Sequence, residues 1–560
     1  MKKSLILLIT IVISFSFANA QTNVSGFINA NTTWDLVGSP YIVIGNALVS
    51  TGYTLTINPG VVVKFDSAKA LQIDGELIAI GTPQNRITFT SNQPIPQPGD
   101  WAKLHFADTC VNAVFDNYGN YLSGSIMKYC DVSYGGGLGF GEVHIVSSSP
   151  YINHCKILNS SSNGIHCENS TYLLDSSLVE NCGGYGLYNN NNLNLSGINY
   201  SLIIKNDTIK DNSLGGIDFG TASTYSYAKI ENNYFINNTN NGAINCRYSQ
   251  LGHCLIANNL FLNNSSMMGI LDFMGLFQDT IKCNKFINNH SSAGSCINCN
   301  YSQNTGTISF NTFLGNTGNY AVIFLSCNYA NPDLHFSNNY ISNNSSSSMG
   351  SCVFYAFTGN ISVTDPFIFI DHNYFVNNIG PSTLYISGSG SSSNFNFLYF
   401  KYNSFSDPGV QYELDNATPY GSPNIYADSN YWGGTTTAHI DSVIHDYFDY
   451  ANLSVVYYFP FLDSPLPIDT TCPPPIITGY QFQQTSPGIF IFPNPARDNI
   501  TINTLEKSTI EILNIQCQIL KTIKSSEIST KIDVGNLPSG IYLIKATSEK
   551  GVGVRKFLKD

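Results

Sequence analysis

The chain is poor in charge. Asp, Glu, Lys and Arg together make up 11% of its 560 residues, where a soluble globular chain usually carries about 25%. Lys and Arg number 25 against 37 Asp and Glu, a formal net charge of -12, and no Lys/Arg block stands outside the extreme N-terminus. A phosphate backbone finds no electrostatic footprint here, so nucleic acid is excluded as a partner. Long apolar runs are equally scarce. The one present, residues 4–17, is too short and too terminal for a spanning helix, and no membrane span is expected in the mature chain. Apolar spacing of three and four is missing, which argues against helices. Core material is not missing: 43% hydrophobic and 13% aromatic residues can offset the entropy of ordering, which excludes disorder. Polarity comes instead from uncharged groups, 66 Asn and 46 Gly among them. These features predict a turn-rich, all-β chain.

The two ends stand apart from the body. Lys2 and Lys3, the apolar stretch Leu5 to Phe17 and Ala18-Asn19-Ala20 have the charge, length and small-residue cleavage site of a secretory signal peptide, residues 1–20. At the other end, ten of the 25 Lys/Arg lie between Arg497 and Lys559, whereas residues 21–492 hold 13 Lys/Arg against 30 Asp/Glu, a net of -17. That shift marks a domain boundary. A Pro-rich linker, residues 466–488, precedes it, with Pro467 and Pro473 to Pro475 suited to a stiff extended segment. Residues 489–560 alternate apolar and polar side chains in short runs such as Ile510-Glu511-Ile512 and Ile541-Tyr542-Leu543-Ile544, the pattern of a small antiparallel β-sandwich.

Phe492-Pro493-Asn494-Pro495-Ala496, Ile532-Asp533-Val534, Leu537-Pro538-Ser539-Gly540-Ile541-Tyr542 and Lys556-Phe557-Leu558-Lys559 closely resemble the type A C-terminal sorting domain of the type IX secretion system. One departure is Gln516-Cys517, where the family commonly has Gly in the turn after the Ile510 strand. The resemblance implies that residues 489–560 are an address for an outer-membrane translocon. It also implies a protein that crosses the periplasm and ends secreted or on the outer cell surface.

The body repeats. Asn, any residue, then an apolar residue recurs at Asn233, Asn259, Asn284, Asn311, Asn339, Asn373, Asn403 and Asn430, with intervals between 25 and 34 residues. Asp207, Ser176 and Cys155 hold the equivalent place in weaker, earlier copies. A period of this size means stacked supersecondary units. The apolar residues come in short alternating runs bounded by Asn-Asn, Asn-Gly and Ser-Gly, so the units are strands and turns. About 26 residues make one three-sided coil whose strands pair in parallel with the next coil about 4.8 Å away. The expected fold is a right-handed parallel β-helix over residues 21–465, of roughly fifteen coils and about 70 Å. A side-chain amide carries both a donor and an acceptor, so one Asn per coil can form an internal ladder at a corner the backbone leaves unpaired. The second pairs, such as Asn263-Asn264 and Asn288-Asn289, suit a left-handed bend.

Thr54 to Phe65, Leu71 to Ile80 and Ile87 to Ser91, and the closing run Asn430-Tyr431-Trp432-Gly433 to Leu462, resemble the first and last coils of secreted bacterial β-helix proteins of the pectate lyase-like kind. Enzymes of that kind use Asp clusters for Ca²⁺ with an Arg or Lys base, and polygalacturonases carry Asn-Thr-Asp, Asp-Asp, Gly-His-Gly and Arg-Ile-Lys. None of the latter motifs occurs here.

One strand pattern in each coil bears on chemistry. Ile165-His166-Cys167, Ile217-Asp218-Phe219, Ile244-Asn245-Cys246, Leu271-Asp272-Phe273, Ile297-Asn298-Cys299 and Leu325-Ser326-Cys327 align as core, outward, core, because side chains alternate faces along a strand. The cysteines then stack in the core, and Cys296 with Cys299 is no zinc site. The outward column, with Arg247 beyond Asn245, offers Asp218, Asp272, Arg247 and His166 as catalytic candidates. Two coil rises separate Asp218 from Asp272 by about 9–10 Å, at or beyond the upper limit for inverting glycoside hydrolysis. The plain alternative is a wet sheet face that welcomes any polar residue. No cofactor is called for, and Ca²⁺ is left open. The expected function is binding or adhesion to extracellular polymers such as polysaccharide. The alternative is a polysaccharide lyase or glycosidase acting on the same face.

Overall fold

The computed structural model describes residues 21–559 apart from short stretches, the longest being 191–200, 358–367, 389–397 and 473–489. The leader 1–20, Arg247, Cys517 and most of the linker lie outside the described residues. The chain divides into two compact units, one of residues 1–113 and 124–473 and the other of residues 114–123 and 474–560.

The first unit is a parallel β-helix with three ranks of strands. Rank one is a fourteen-stranded parallel sheet from Thr32–Trp34 to Leu398–Lys401. Ranks two and three belong to one continuous 33-stranded sheet. Fourteen strands give thirteen spacings, about 62 Å, slightly shorter than the expected fifteen coils. A representative coil runs from Cys254–Ala257 in rank one through Leu260–Leu262 in rank two to Gly269–Phe273 in rank three.

The corners follow from side-chain chemistry. At the first corner a residue with left-handed backbone, such as Asn232, Asn258 or Phe310, precedes each ladder residue. Asn259 Nδ2 donates both to Asn284 Oδ1 at 3.0 Å and to the Ile230 carbonyl at 2.9 Å, while its N–H donates to the same Oδ1. The same bonds join Asn233, Asn284, Asn311, Asn339, Asn373, Asn403 and Asn430. Toward the N-terminus the ladder continues through Asp207 to Ser177. Ser177 takes the place expected for Ser176, because Ser176 is itself the left-handed residue before it. The Asn pairs at the second corner divide the work. Asn237, Asn263, Asn288, Asn343 and Asn377 are left-handed, and Asn238, Asn264, Asn289, Asn316, Asn344 and Asn378 form a second buried ladder. Asp407 ends it by accepting from Asn378 at 2.8 Å.

Two residues after each first-ladder Asn a side chain points inward. Phe235, Phe261, Phe286 and Phe313 stack at 5.0, 4.6 and 4.7 Å, and Phe375, Phe405 and Trp432 continue the line at 5.0 and 4.9 Å. All are fully buried, each contributing roughly 1.5–3 kcal/mol through lost apolar exposure. Cys167, Cys246, Cys296 and Cys299 are buried in the core. The closing segment holds the helix Thr437–Val443, capped by Thr436. In the second unit a three-stranded and a four-stranded antiparallel sheet enclose a separate core of Ile500, Ile510, Ile544 and Phe557.

Candidate functional site

Strand pairing aligns one position of every rank-three strand into a column. From the N-terminal side it runs Gln72, His105, His144, His166, Tyr188, Asp218 and Asn245. It continues through Asp272, Asn298, Phe324, Phe354, Tyr385, Asp415 and His445. Asn298 pairs with Phe324, and Asn300 with Ser326. The expected alignment of Leu325-Ser326-Cys327 with Ile297-Asn298-Cys299 is therefore corrected by two residues, which preserves the face because the strand period is two.

The middle of the column is not a wet face. Asp218 is 7% exposed and Asp272 5%. Asn245 Nδ2 donates to Asp218 Oδ2 at 2.6 Å and Asn298 Nδ2 to Asp272 Oδ1 at 2.7 Å. The Gly220 N–H also donates to Asp218 Oδ1. Burial pushes the Asp218 carboxyl above the usual carboxylate range, with the bonds from Gly220 and Asn245 opposing. Each aspartate is thus held by the asparagine of the next coil, two rises from the other. His166 stands four coils before Asp272, apart from both carboxylates. Arg247 lies outside the described residues.

The column's N-terminal part carries a denser arrangement. Lys103 Nζ lies 2.7 Å from His144 Nδ1, beneath the Phe140 ring at 4.2 Å. His144 Nε2 and His166 Nε2 each stand 3.2 Å from Glu168 Oε1. Asn163 Nδ2 faces His166 Nδ1 at 3.2 Å, and that amide is oriented because its Oδ1 accepts the Tyr185 N–H. Burial first, then the Lys103 charge, lowers His166 to about 4 and His144 to about 2, with His105 and His166 adding to the effect on His144. His105 is held at about 4 for the same two leading reasons. Burial also lowers Lys103, with Glu168 opposing.

These contacts fix the protons. Lys103 and Asn163 donate to the Nδ1 atoms, so both neutral imidazoles carry their hydrogen on Nε2; His144 donates it to Glu168 Oε1, and His166 turns its own toward the same oxygen. The ligand atoms of His144, His166 and Glu168 lie within 4.8 Å of one another, close enough for a metal ion. A metal-bound imidazole, however, keeps its proton on the nitrogen turned away from the metal and donates it to an acceptor. Here both outer nitrogens face donors, one of them an ammonium. The cluster fits a proton-bonded network and does not fit a cation.

Of this cluster, sequence reasoning found His166 alone. The signal available was the same triplet in Leu104-His105-Phe106 and Val143-His144-Ile145. Irregular intervals between the early coils hid it.

Comparison with known proteins adds the address. Residues 490–560 match the family described as the secretion system C-terminal sorting domain. They are the type IX sorting domain, and the chain is directed to the cell surface or the extracellular space. A 70-residue segment is 40% identical to "Protein bark beetle" of Drosophila melanogaster, covering 12% of this chain and 2% of that protein. The chain therefore spans only a small fraction of that relative. The periplasmic alginate epimerase AlgG is similar over 77% of this chain and 84% of its own, at 10% identity and a TM-score of 0.21. The tailspike gp49 of Acinetobacter baumannii bacteriophage Fri1, a capsular polysaccharide depolymerase, matches over 95% and 73% at 11% identity and a TM-score of 0.17. At these scores neither structure bears on what this chain does.

Proposed function

From an exported chain whose sorting domain directs it outside the cell, we propose a protein that binds extended, uncharged polysaccharide along the rank-three column. The observation carrying this reading is the column itself, one aligned position per coil from Gln72 to His445. Its thirteen steps span about 62 Å. A repetitive ligand is matched by a repetitive site, and outside the buried Asp218, Asp272 and Asn298 the column's half-buried members, among them His166, Tyr188, Asn245, Phe324 and Tyr385, mix hydrogen-bonding groups with aromatic rings, the two contacts sugar rings accept. The body's net charge of -17 over residues 21–492 disfavours polyanions. Adhesion to a polymer needs no catalytic set, and Asp218 and Asp272 are already engaged by asparagines. The full exported chain, tested on a panel of neutral and anionic polysaccharides with and without Ca²⁺, is expected to retain neutral polymers. Retention of none, or of anionic polymers alone, overturns the proposal.

A second reading, a lyase or glycosidase, rests on Lys103. A partly desolvated ammonium 2.7 Å from an imidazole is a place where a proton can move. Assaying the same panel for new reducing or unsaturated sugar ends separates the two readings.

A further inference from the structure

Resting on the polysaccharide reading, we propose that the loop after the column's last member, His445, is a ring-binding end stop. Phe448 and Tyr450, beside Tyr420 and Tyr447, take one uncharged sugar ring of the polymer laid on the column. A fixed loop, the rings it leaves in water and the charge around them carry the proposal.

The loop is built around Asp446, which is buried. Its Oδ1 accepts the Phe448 N–H at 2.9 Å and its Oδ2 the Val456 N–H at 2.7 Å. Its carbonyl accepts from the N–H groups of Asp449 and Tyr450 at 3.1 and 3.0 Å, and Asp449 Oδ2 accepts the Asp446 N–H in return. At the neck the Tyr447 N–H donates to the Ser454 carbonyl, and the Ser454 N–H to that of Thr418. Asn452 Nδ2 donates to Tyr450 Oη at 3.0 Å, which holds the phenol.

The rings face outward all the same. Phe448 is 82% exposed, Tyr420 71% and Tyr450 57%. The Tyr447 ring lies 5.9 Å from that of Tyr420 and 5.6 Å from that of Phe448, crossing the latter at 83°. Burial is what an apolar ring gains from folding, and here an ordered backbone withholds it. An aromatic side chain on a fixed backbone has little freedom left to lose, so a ligand that covers it keeps most of the contact energy.

Charge selects the ligand. Residues 402–465 hold eight Asp and Glu and no Lys or Arg. An aromatic loop that enters a membrane works with basic side chains that meet anionic headgroups, and polyanions are repelled here as well. An uncharged sugar ring suits the site: its C–H face lies on an aromatic ring, and its hydroxyls donate to carboxylates. Asp449, exposed and placed between Phe448 and Tyr450 in the chain, supplies one.

The position gives the site its use. His445 pairs with Asp415 in the column and stacks on Tyr412 at 4.9 Å. Phe448 follows three residues later, within about 11 Å. A face that repeats every coil offers a polymer many equivalent registers. One aromatic site at its end makes one register better than the rest.

The test titrates the exported full chain with cellohexaose, maltohexaose and mannohexaose by calorimetry, beside Phe448→Ala/Tyr450→Ala and the column variant Tyr188→Ala. The loop side chains are exposed, so Tm is expected to hold while affinity for whichever hexasaccharide binds falls about tenfold. Phe448→Ala alone serves if the double variant does not accumulate. Weakening in Tyr188→Ala only, with the loop variant equal to the natural chain, overturns the end stop and leaves the column reading standing. Weakening in the loop variant only supports the ring site and counts against the column. Binding of none of the three sugars, or loop-dependent binding to phosphatidylglycerol vesicles in their place, overturns the ring site.

Discussion

Glu142 is fully buried in the helix interior. Its Oε2 accepts the Gly135 N–H at 2.9 Å, its Oε1 has no partner, and burial raises its pKa to about 8. Glu413 is likewise raised to about 8, by burial and then by Asp407, with Thr383 Oγ1 2.7 Å from both carboxyls. A hydroxyl has one proton to give, so one of that pair is protonated. The sign follows from linkage. Folded Glu142 and Glu413 keep protons that the unfolded chain releases above about 4.5, so their contribution to stability is lost as pH rises toward about 8. The buried imidazoles of His105, His144 and His166 act oppositely, because the unfolded chain gains protons below about 6.5 and stability falls with falling pH. Between about pH 6.5 and 8 the two glutamates dominate, and stability is expected to fall. Glu142→Gln keeps the acceptor for Gly135 without a titrating group. In urea unfolding it is expected to gain roughly 1–3 kcal/mol at pH 8 and little at about pH 4.5, where the unfolded chain also keeps the proton. Equal stability at both pH values would refute this account.

At the scale of the element, the asparagine ladders are legible where the repeat is regular and blurred where it is not. The first ladder stands out because Asn recurs at one place in the coil. The second is masked by its own neighbour, since each pair contains one Asn for backbone angle and one for hydrogen bonding, and sequence alone does not divide them. Asp207 is a rung with the wrong head group. Its Oδ1 accepts from Ser177, but its Oδ2 is buried without a partner, and burial holds the carboxyl well above its usual range. An amide in that place could donate to the next rung as Asn233 does to Asn259 at 3.0 Å. Asp207→Asn is therefore expected to stabilise the protein by roughly 1–3 kcal/mol at neutral pH. An unchanged or lower urea midpoint would show that the orphaned oxygen costs nothing.

For the whole molecule, the two units carry separate tasks, with the address in residues 490–560 and the proposed binding face in the helix. Deleting residues 490–560 is expected to leave the protein in the periplasm with its helix folded and its Tm unchanged; fractionation and thermal unfolding check both. Export of the truncated chain would remove the assigned role of the sorting domain. The coil, its length and its corner chemistry were determined by sequence alone, because a strand–turn period and an amide's paired donor and acceptor act locally and recur. Tertiary structure alone decided which coils' side chains meet. His105, His144 and His166 lie 39 and 22 residues apart, spacings set by loops whose lengths carry no register. Only stacking brings them into line beside Lys103 and Glu168. It also buries Asp218 and Asp272, since a side chain's exposure depends on what neighbouring coils place over it.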